Sequence, residues 1–340
     1  MLLTIPSTLK LSQLKILAFK CGILTSGTKP ILIRRLQDEI SQIQNDNVSS
    51  TIKTTKKVRV LSIDMGIRNL AYCILDVPSK TLRRPGSNTR RIKTELPSIH
   101  AWHRLAVSSP PIANSITDIE TPLPKEAFDP ETLSQAAYTL LRTRLLPAKP
   151  THILIERQRF RSMGSSHILE WTVRVNMFES ILYAVLCTLK SEGLWDGSVR
   201  SVLPGKVGPF WISEEVKEGS EVGGQESGQG KGRKKVRNTA SVKIKNKGAK
   251  IDLVRSWLES GDMVDLGNEE VTEMARRYAE KWDRVPGGRK VTRKLDGELE
   301  EKMGKLDDLA DCLLQGMAWI QWEENKRSVM KYGVDVLLDP

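Results

Sequence analysis

The chain has 340 residues, longer than one typical domain, and 39% of them are hydrophobic, enough for a packed core. Its 53 Lys and Arg exceed its 41 Asp and Glu by 12, a balance that suits a polyanionic partner. This composition argues against wholesale disorder, and no run of about 18 apolar residues is expected to span a bilayer.

Residues 1–6 are too short an apolar run for a secretory signal. Six Lys and Arg precede the first acid, Asp38, as in an organellar transit peptide, but the same stretch reads better as a folded module. Residues 7–40 predict two short helices around a Gly- and Pro-containing turn, with Leu11, Leu14 and Leu17 on one and Ile31, Ile33, Leu36 and Ile40 on the other. Residues 43–57 are polar and read as a linker, which sets off a module at 1–42 from a larger domain at 58–340.

The larger domain opens with two β-branched-rich runs, 58–64 and 69–76, separated by Met65-Gly66-Ile67-Arg68 as in a hairpin. A third strand is expected at 99–107 and a helix at 130–146. A short apolar strand follows at 151–156, then a long helix at 166–190 and a strand at 199–203. Residues 213–250 lose all apolar periodicity, and 231–250 hold nine Lys and Arg without an acid; they read as a disordered charged insertion. A helix at 251–259 and an amphipathic helix at 306–322 complete the pattern. Strands followed by helix–strand alternation predict an α/β fold, one mixed sheet flanked by helices. The four cysteines include no C-x-x-C pair, so neither a disulfide framework nor a thiolate zinc site is indicated, and a reducing compartment fits.

Carboxylates stand at three informative places. Asp64 ends the first strand, Glu156 ends the strand at 151–156, and Asp307, Asp308 and Asp311 open the last helix. On that helix Asp308 pairs with Asp311 at i, i+3, and Asp307 with Asp311 at i, i+4. Each alone has an ordinary explanation: a helix cap for Asp307 or Asp308, a turn aspartate for Asp64, an ion pair with Arg157 for Glu156. Converging, they would repel one another and favour a hard divalent cation, Mg²⁺ with Mn²⁺ able to substitute, suited to phosphodiester hydrolysis.

Three blocks carry a resemblance. Val60-Leu61-Ser62-Ile63-Asp64-Met65-Gly66-Ile67-Arg68-Asn69, Ile153-Leu154-Ile155-Glu156-Arg157-Gln158-Arg159-Phe160-Arg161 and Lys305-Leu306-Asp307-Asp308-Leu309-Ala310-Asp311 resemble the fungal mitochondrial Holliday-junction resolvases. These are relatives of bacterial RuvC in the ribonuclease H-like superfamily. The resemblance implies a mitochondrial homodimer that cuts two strands of four-way junction DNA with Mg²⁺. Asp64 matches the first-strand aspartate and Glu156 the central-strand glutamate; Asp311 has either Asp308 or Asp307 as its partner. The 7–40 stretch also looks like an SAP motif, a small DNA-binding helical unit, on Leu11, Leu14, Lys15, Gly22, Gly27, Lys29, Leu32, Arg35 and Leu36. Lys15, Lys29, Arg34 and Arg35 would then contact phosphates without reading bases; a helical hairpin for protein contact is the alternative.

Arg157, Gln158, Arg159 and Arg161 follow Glu156 and are expected to grip backbone near the cut, with Arg68 and Asn69 close by. Lys302 and Lys305 read as solvated, and His100 and His103 fall on opposite faces of a strand. Aromatics, Trp171 among them, lie inside apolar runs, which speaks for duplex backbone contact over a single-strand stacking platform. The helix at 166–190 is apolar on more than one side, so one face is available to a second subunit. Two rival readings remain at this level. One is a non-catalytic DNA-binding protein on the same fold. The other is an actin-like ATPase, whose first phosphate loop Ile63-Asp64-Met65-Gly66 also looks like; the second Asp-x-Gly turn such proteins need is not evident, nor is a P-loop, so no nucleotide cofactor is expected.

Overall fold

A computed structural model describes residues 4–48, 57–78, 95–107, 127–158, 168–218, 239–282 and 305–338. Six strands form one mixed sheet: β1 (Val58–Asp64), β2 (Leu70–Val77), β3 (Ser98–Leu105), β4 (His152–Glu156), β5 (Ser198–Val202) and β6 (Asp265–Leu266), in the order β5-β4-β1-β2-β3-β6. β1, β2 and β3 pair antiparallel, while β4 and β5 run parallel to β1. β1 and β2 make the expected hairpin, and β4 lies inside the sheet, as its unbroken apolar run requires. The sheet flanked by helices is the ribonuclease H-like architecture the resemblance implies.

Period-two alternation sends Leu61, Ile63, Ile153 and Ile155 to one face of the sheet and Val60, Ser62 and Leu154 to the other. The first face is covered by α3 (Pro130–Leu140) and α4 (Glu170–Ser191), through Leu133, Ala137, Phe178 and Leu182. The second is covered by α5 (Pro204–Glu218), α6 (Thr239–Ser260), α7 (Glu269–Trp282) and above all α8 (Leu306–Tyr332). α8 is expected to be amphipathic and to end near residue 322. Instead it runs ten residues further and is buried nearly all round, from Leu309 to Trp322, as befits a helix wedged between the sheet and other helices.

The charged insertion is not a structureless stretch throughout. Residues 213–218 continue α5 and 239–250 form the first half of α6; residues 219–238 lie outside the described residues. The apolar side of Ile251, Val254 and Trp257 anchors α6 in the core, and the helix extends back from that anchor into the basic block. Likewise the linker begins later than its composition suggests: 43–48 prolong α2 (Lys29–Val48), and 49–56 are outside the described residues. α4 is long and apolar enough for a membrane span by length and composition alone, but Glu170, Arg174, Glu179 and Lys190 interrupt it and Phe178 and Leu182 pack it on the sheet.

The N-terminal helices α1 (Leu11–Lys20) and α2 enclose a small core of Leu14, Leu17, Ala18, Leu32, Leu36 and Ile40. Leu32, not Ile31, faces inward, and Leu11 is exposed, because the two helices meet about one position away from the expected stripe. This core is shared with Val329 of α8 and Val334 just beyond it. Asn325 Nδ2 donates to the Lys20 carbonyl at 2.6 Å, and Lys20 Nζ to that of Leu337 at 3.0 Å. Gly22, at φ +65°, lies against the Trp322 ring, so a Cβ there would run into the indole.

A partly buried ion pair ties the sheet together at the end away from the acids. Arg59 Nε and Nη2 donate to the two Asp76 oxygens at 2.5 and 2.9 Å, and Lys57 Nζ approaches at 2.8 Å. Burial alone would raise the Asp76 pKa, but these bonds outweigh it and hold the carboxyl below its usual range. Its contribution is therefore complete above the unfolded pKa of about 3.9 and is lost as pH falls through the folded value. Asp76→Asn is expected to cost about 3 kcal/mol at neutral pH, by leaving Arg59 half-partnered. Urea denaturation should show that gap to the wild type closing below about pH 4.

Candidate active site

Asp64 and Glu156 end neighbouring parallel strands. Ile63 pairs with Ile155, so the next step along both strands sets the two carboxylates side by side, on the face that α8 covers. They are close enough for each to feel the other's charge directly. α8 begins over the same sheet edge and brings Asp308 and Asp311 from successive turns of one face. Burial, the adjoining Glu156 carboxyl and the charges of Asp311 and Asp308 all push Asp64 well above the usual carboxylate range. Burial likewise raises Asp308 and Asp311, offset in part by basic neighbours.

Those neighbours are residues that sequence reading missed. Arg104 of β3 donates from Nε to Asp308 at 3.2 Å and also bonds Asn69 Oδ1. Lys250 of α6 donates to Asp311 at 2.6 Å, and Lys247, one turn earlier, holds Asp307. Thus Asp307 points to Lys247, whereas Asp308 and Asp311 bear on Asp64. Among the described residues no three His, Cys, Asp or Glu side chains stand together as a ready metal-ligand group; Arg104 and Lys250 engage the α8 pair in the site as it stands. Lys247 and Lys250 lie in the basic block read as disordered, and Arg104 carries no motif, so only the paired sheet and helices could place them.

The residues expected to touch DNA divide into several kinds. Arg157 is exposed beside Glu156, but Gln158 is engaged by acids: its Nε2 donates to Glu156 at 3.2 Å and its backbone N–H to Glu179 at 3.0 Å. Arg159 and Arg161 lie outside the described residues. Arg68 stacks over Trp171 and Phe128, at 4.9 and 5.7 Å, and Asn69 serves Arg104. Trp171 is therefore partly exposed on the surface rather than core. In the N-terminal pair Lys15 and Arg34 are exposed and Lys29 half-exposed, with Arg34 near Asp38 at 3.8 Å. Arg35 is turned inward: its Nη1 donates to the carbonyls of Leu24 and Ser26 at 2.7 and 2.8 Å, clamping the interhelical loop.

A curated relative from Schizosaccharomyces pombe, named a mitochondrial cruciform cutting endonuclease, is 29% identical over 93% of this chain and 93% of its own length. A Saccharomyces cerevisiae protein of the same name is 23% identical over 94% of this chain and 84% of its own. The crystal structure of the yeast mitochondrial Holliday junction resolvase Ydc2 superposes with a TM-score of 0.55 at 25% identity, covering 96% of this chain and 98% of that one. The family described as mitochondrial resolvase Ydc2 / RNA splicing MRS1 matches residues 60–329, a span that takes in β1, β4 and the opening of α8. With all three acidic positions inside the matched span, the chain belongs to that family.

Proposed function

We propose that the chain is a mitochondrial, structure-selective endonuclease that resolves four-way DNA junctions. The observation that carries this reading is the pairing of Asp64 with Glu156 across β1 and β4, beneath Asp308 and Asp311 of α8. The donor set fits a hard divalent cation: it is all oxygen, and Asp64 is held up by like charges that a cation would relieve. Asp64, Glu156, Asp308 and Asp311 are the side chains that would hold Mg²⁺, or Mn²⁺ in its place, with Asp307 outside the set on Lys247. Held by these four carboxylates, such an ion would supply Lewis-acid and water-activating chemistry for phosphodiester hydrolysis. Gln158 orients Glu156, while Arg104 and Lys250 keep positive charge beside the acids when the carboxylates shift toward a ligand.

The N-terminal helices act as the SAP-like module, meeting phosphates through Lys15, Lys29 and Arg34, with Arg35 shaping the loop instead. The active unit is a homodimer formed across the start of α4, where Leu169, Trp171 and Val173 are exposed. Two copies present two active sites to a substrate of approximate two-fold symmetry.

The test is a synthetic four-way junction beside linear duplex of the same sequence. With Mg²⁺ the protein should cut the junction alone, and EDTA should stop cutting while leaving junction binding intact. Equal cutting of both substrates, or cutting in EDTA, would remove this reading and leave a DNA-binding protein on a nuclease fold.

A further inference from the structure

A cleft of about 660 Å³ runs from Arg157, the residue after Glu156, to the N-terminal helices. Arg157 and Glu179 line its near end, and Glu179 is linked through Gln158 to Glu156. Gly22 and Glu39 line its far end. Between them lie Arg200 on the edge strand β5, Lys206 of α5, and Trp322 and Lys326 of α8. The acids are partly engaged already: Glu323 accepts from Lys326 at 2.8 Å, and Glu179 from the Gln158 N–H at 3.0 Å.

Two polar atoms of the lining lack a partner: the Tyr183 hydroxyl, which can donate or accept, and the Trp322 indole N–H, which only donates. Trp322 is 5% exposed, yet its Nε1–H has no acceptor. Lys206 Nζ donates to the Gly22 carbonyl at 2.6 Å and carries two further N–H groups. A buried donor among cations calls for an anionic oxygen, and a phosphodiester offers acceptors only, whereas a peptide would bring donors of its own. We propose that this cleft seats the sugar–phosphate backbone of a junction strand between the cut position and the N-terminal helices, with Trp322, Lys206, Lys326 and Arg200 as its contacts. The proposal rests on the junction-cutting reading. It makes the docking of the N-terminal module against α8 a part of the DNA path, since Gly22 and Trp322 meet at its wall.

The test is fluorescence anisotropy with a labelled junction in EDTA, titrated between about 50 and about 200 mM salt. Replacing Arg200, which is exposed, by Ala should lower the slope of log K against log salt by about 1; Arg200→Ala with Lys326→Ala should lower it by about 2 and weaken binding about tenfold. Trp322→Phe keeps the ring and removes the donor, so binding should weaken about threefold at an unchanged slope, with circular dichroism confirming the fold. Wild-type slopes in both Arg200→Ala and the double variant would overturn the proposal. So would stabilisation of the wild type by inorganic phosphate alone with junction binding untouched by the variants, which would make the cleft a small-anion site. A wild type that cuts junction and duplex alike would count against the nuclease reading instead, because these slopes report the cleft on any DNA.

Discussion

Asp64→Asn is expected to bind a four-way junction as the wild type does and to cut it at least about 10³-fold more slowly, a barrier increase of about 4 kcal/mol. The amide keeps the shape of the side chain but loses the charge that a divalent ion requires. It also loses the repulsion. Asp64 is raised by burial and by Glu156, Asp311 and Asp308, so the folded state holds its proton above the pH at which the unfolded chain releases it. Stability therefore falls as pH rises from about 4 toward the folded value, and at neutral pH the cluster is a burden on the fold. In the absence of divalent metal, Asp64→Asn should melt at a higher temperature than the wild type, and added Mg²⁺ should narrow that difference. Junction cutting by the Asn variant at near wild-type rate would sink the catalytic assignment; a lower melting temperature would sink the electrostatic one.

Gly316→Val is expected to cost about 3 kcal/mol of stability and to depress cutting by whatever protein still folds. Here α8 rides directly on the sheet. A Cβ at Gly316 would stand 2.7 Å from Leu75 Cδ1, 3.2 Å from Ser62 Cβ and 3.6 Å from Cys73 Sγ. Next to it Gln315 Nε2 donates to Ser62 Oγ at 3.0 Å and to the Ile63 carbonyl at 3.1 Å, one residue before Asp64. A branched side chain would lift the helix and break those bonds, and Asp308 and Asp311 would move with it. Gly316→Ala meets mainly the end of the Leu75 side chain, which can turn, so a loss of about 1 kcal/mol is expected. Thermal unfolding and single-turnover cutting of both variants check the order; a Val variant as stable as the wild type would show that the contact is not tight.

The placement of the candidate acids was legible because each stands at one end of a segment whose periodicity is plain. Asp64 and Glu156 follow apolar runs that could only be buried strands, and the Asp308–Asp311 spacing is meaningful only on a helix. Their partners were not legible. Arg104 is one Arg among many, and Lys250 reads as part of a solvated charge block until Ile251, Val254 and Trp257 show that its helix is anchored in the core. That Asp307 meets Lys247 while Asp308 bears on Asp64 needed the position of α6, which only tertiary packing gives. Arg35 has a second task that no sequence pattern reveals: the neighbouring loop leaves the Leu24 and Ser26 carbonyls for it to bind. Helix ends were missed at α2, α6 and α8; at α8 tertiary burial carried the helix past the point at which local composition turns polar.

The shared cluster of Val329 and Val334 with Leu14, Leu17, Leu32 and Leu36 bears on the order in which the molecule is made. α1 and α2 cannot complete their shared core until residues near Val334, roughly three hundred positions later, have been made. Until then they need a holding chaperone or a provisional contact, and trimming the tail should leave the head sticky and prone to proteolysis.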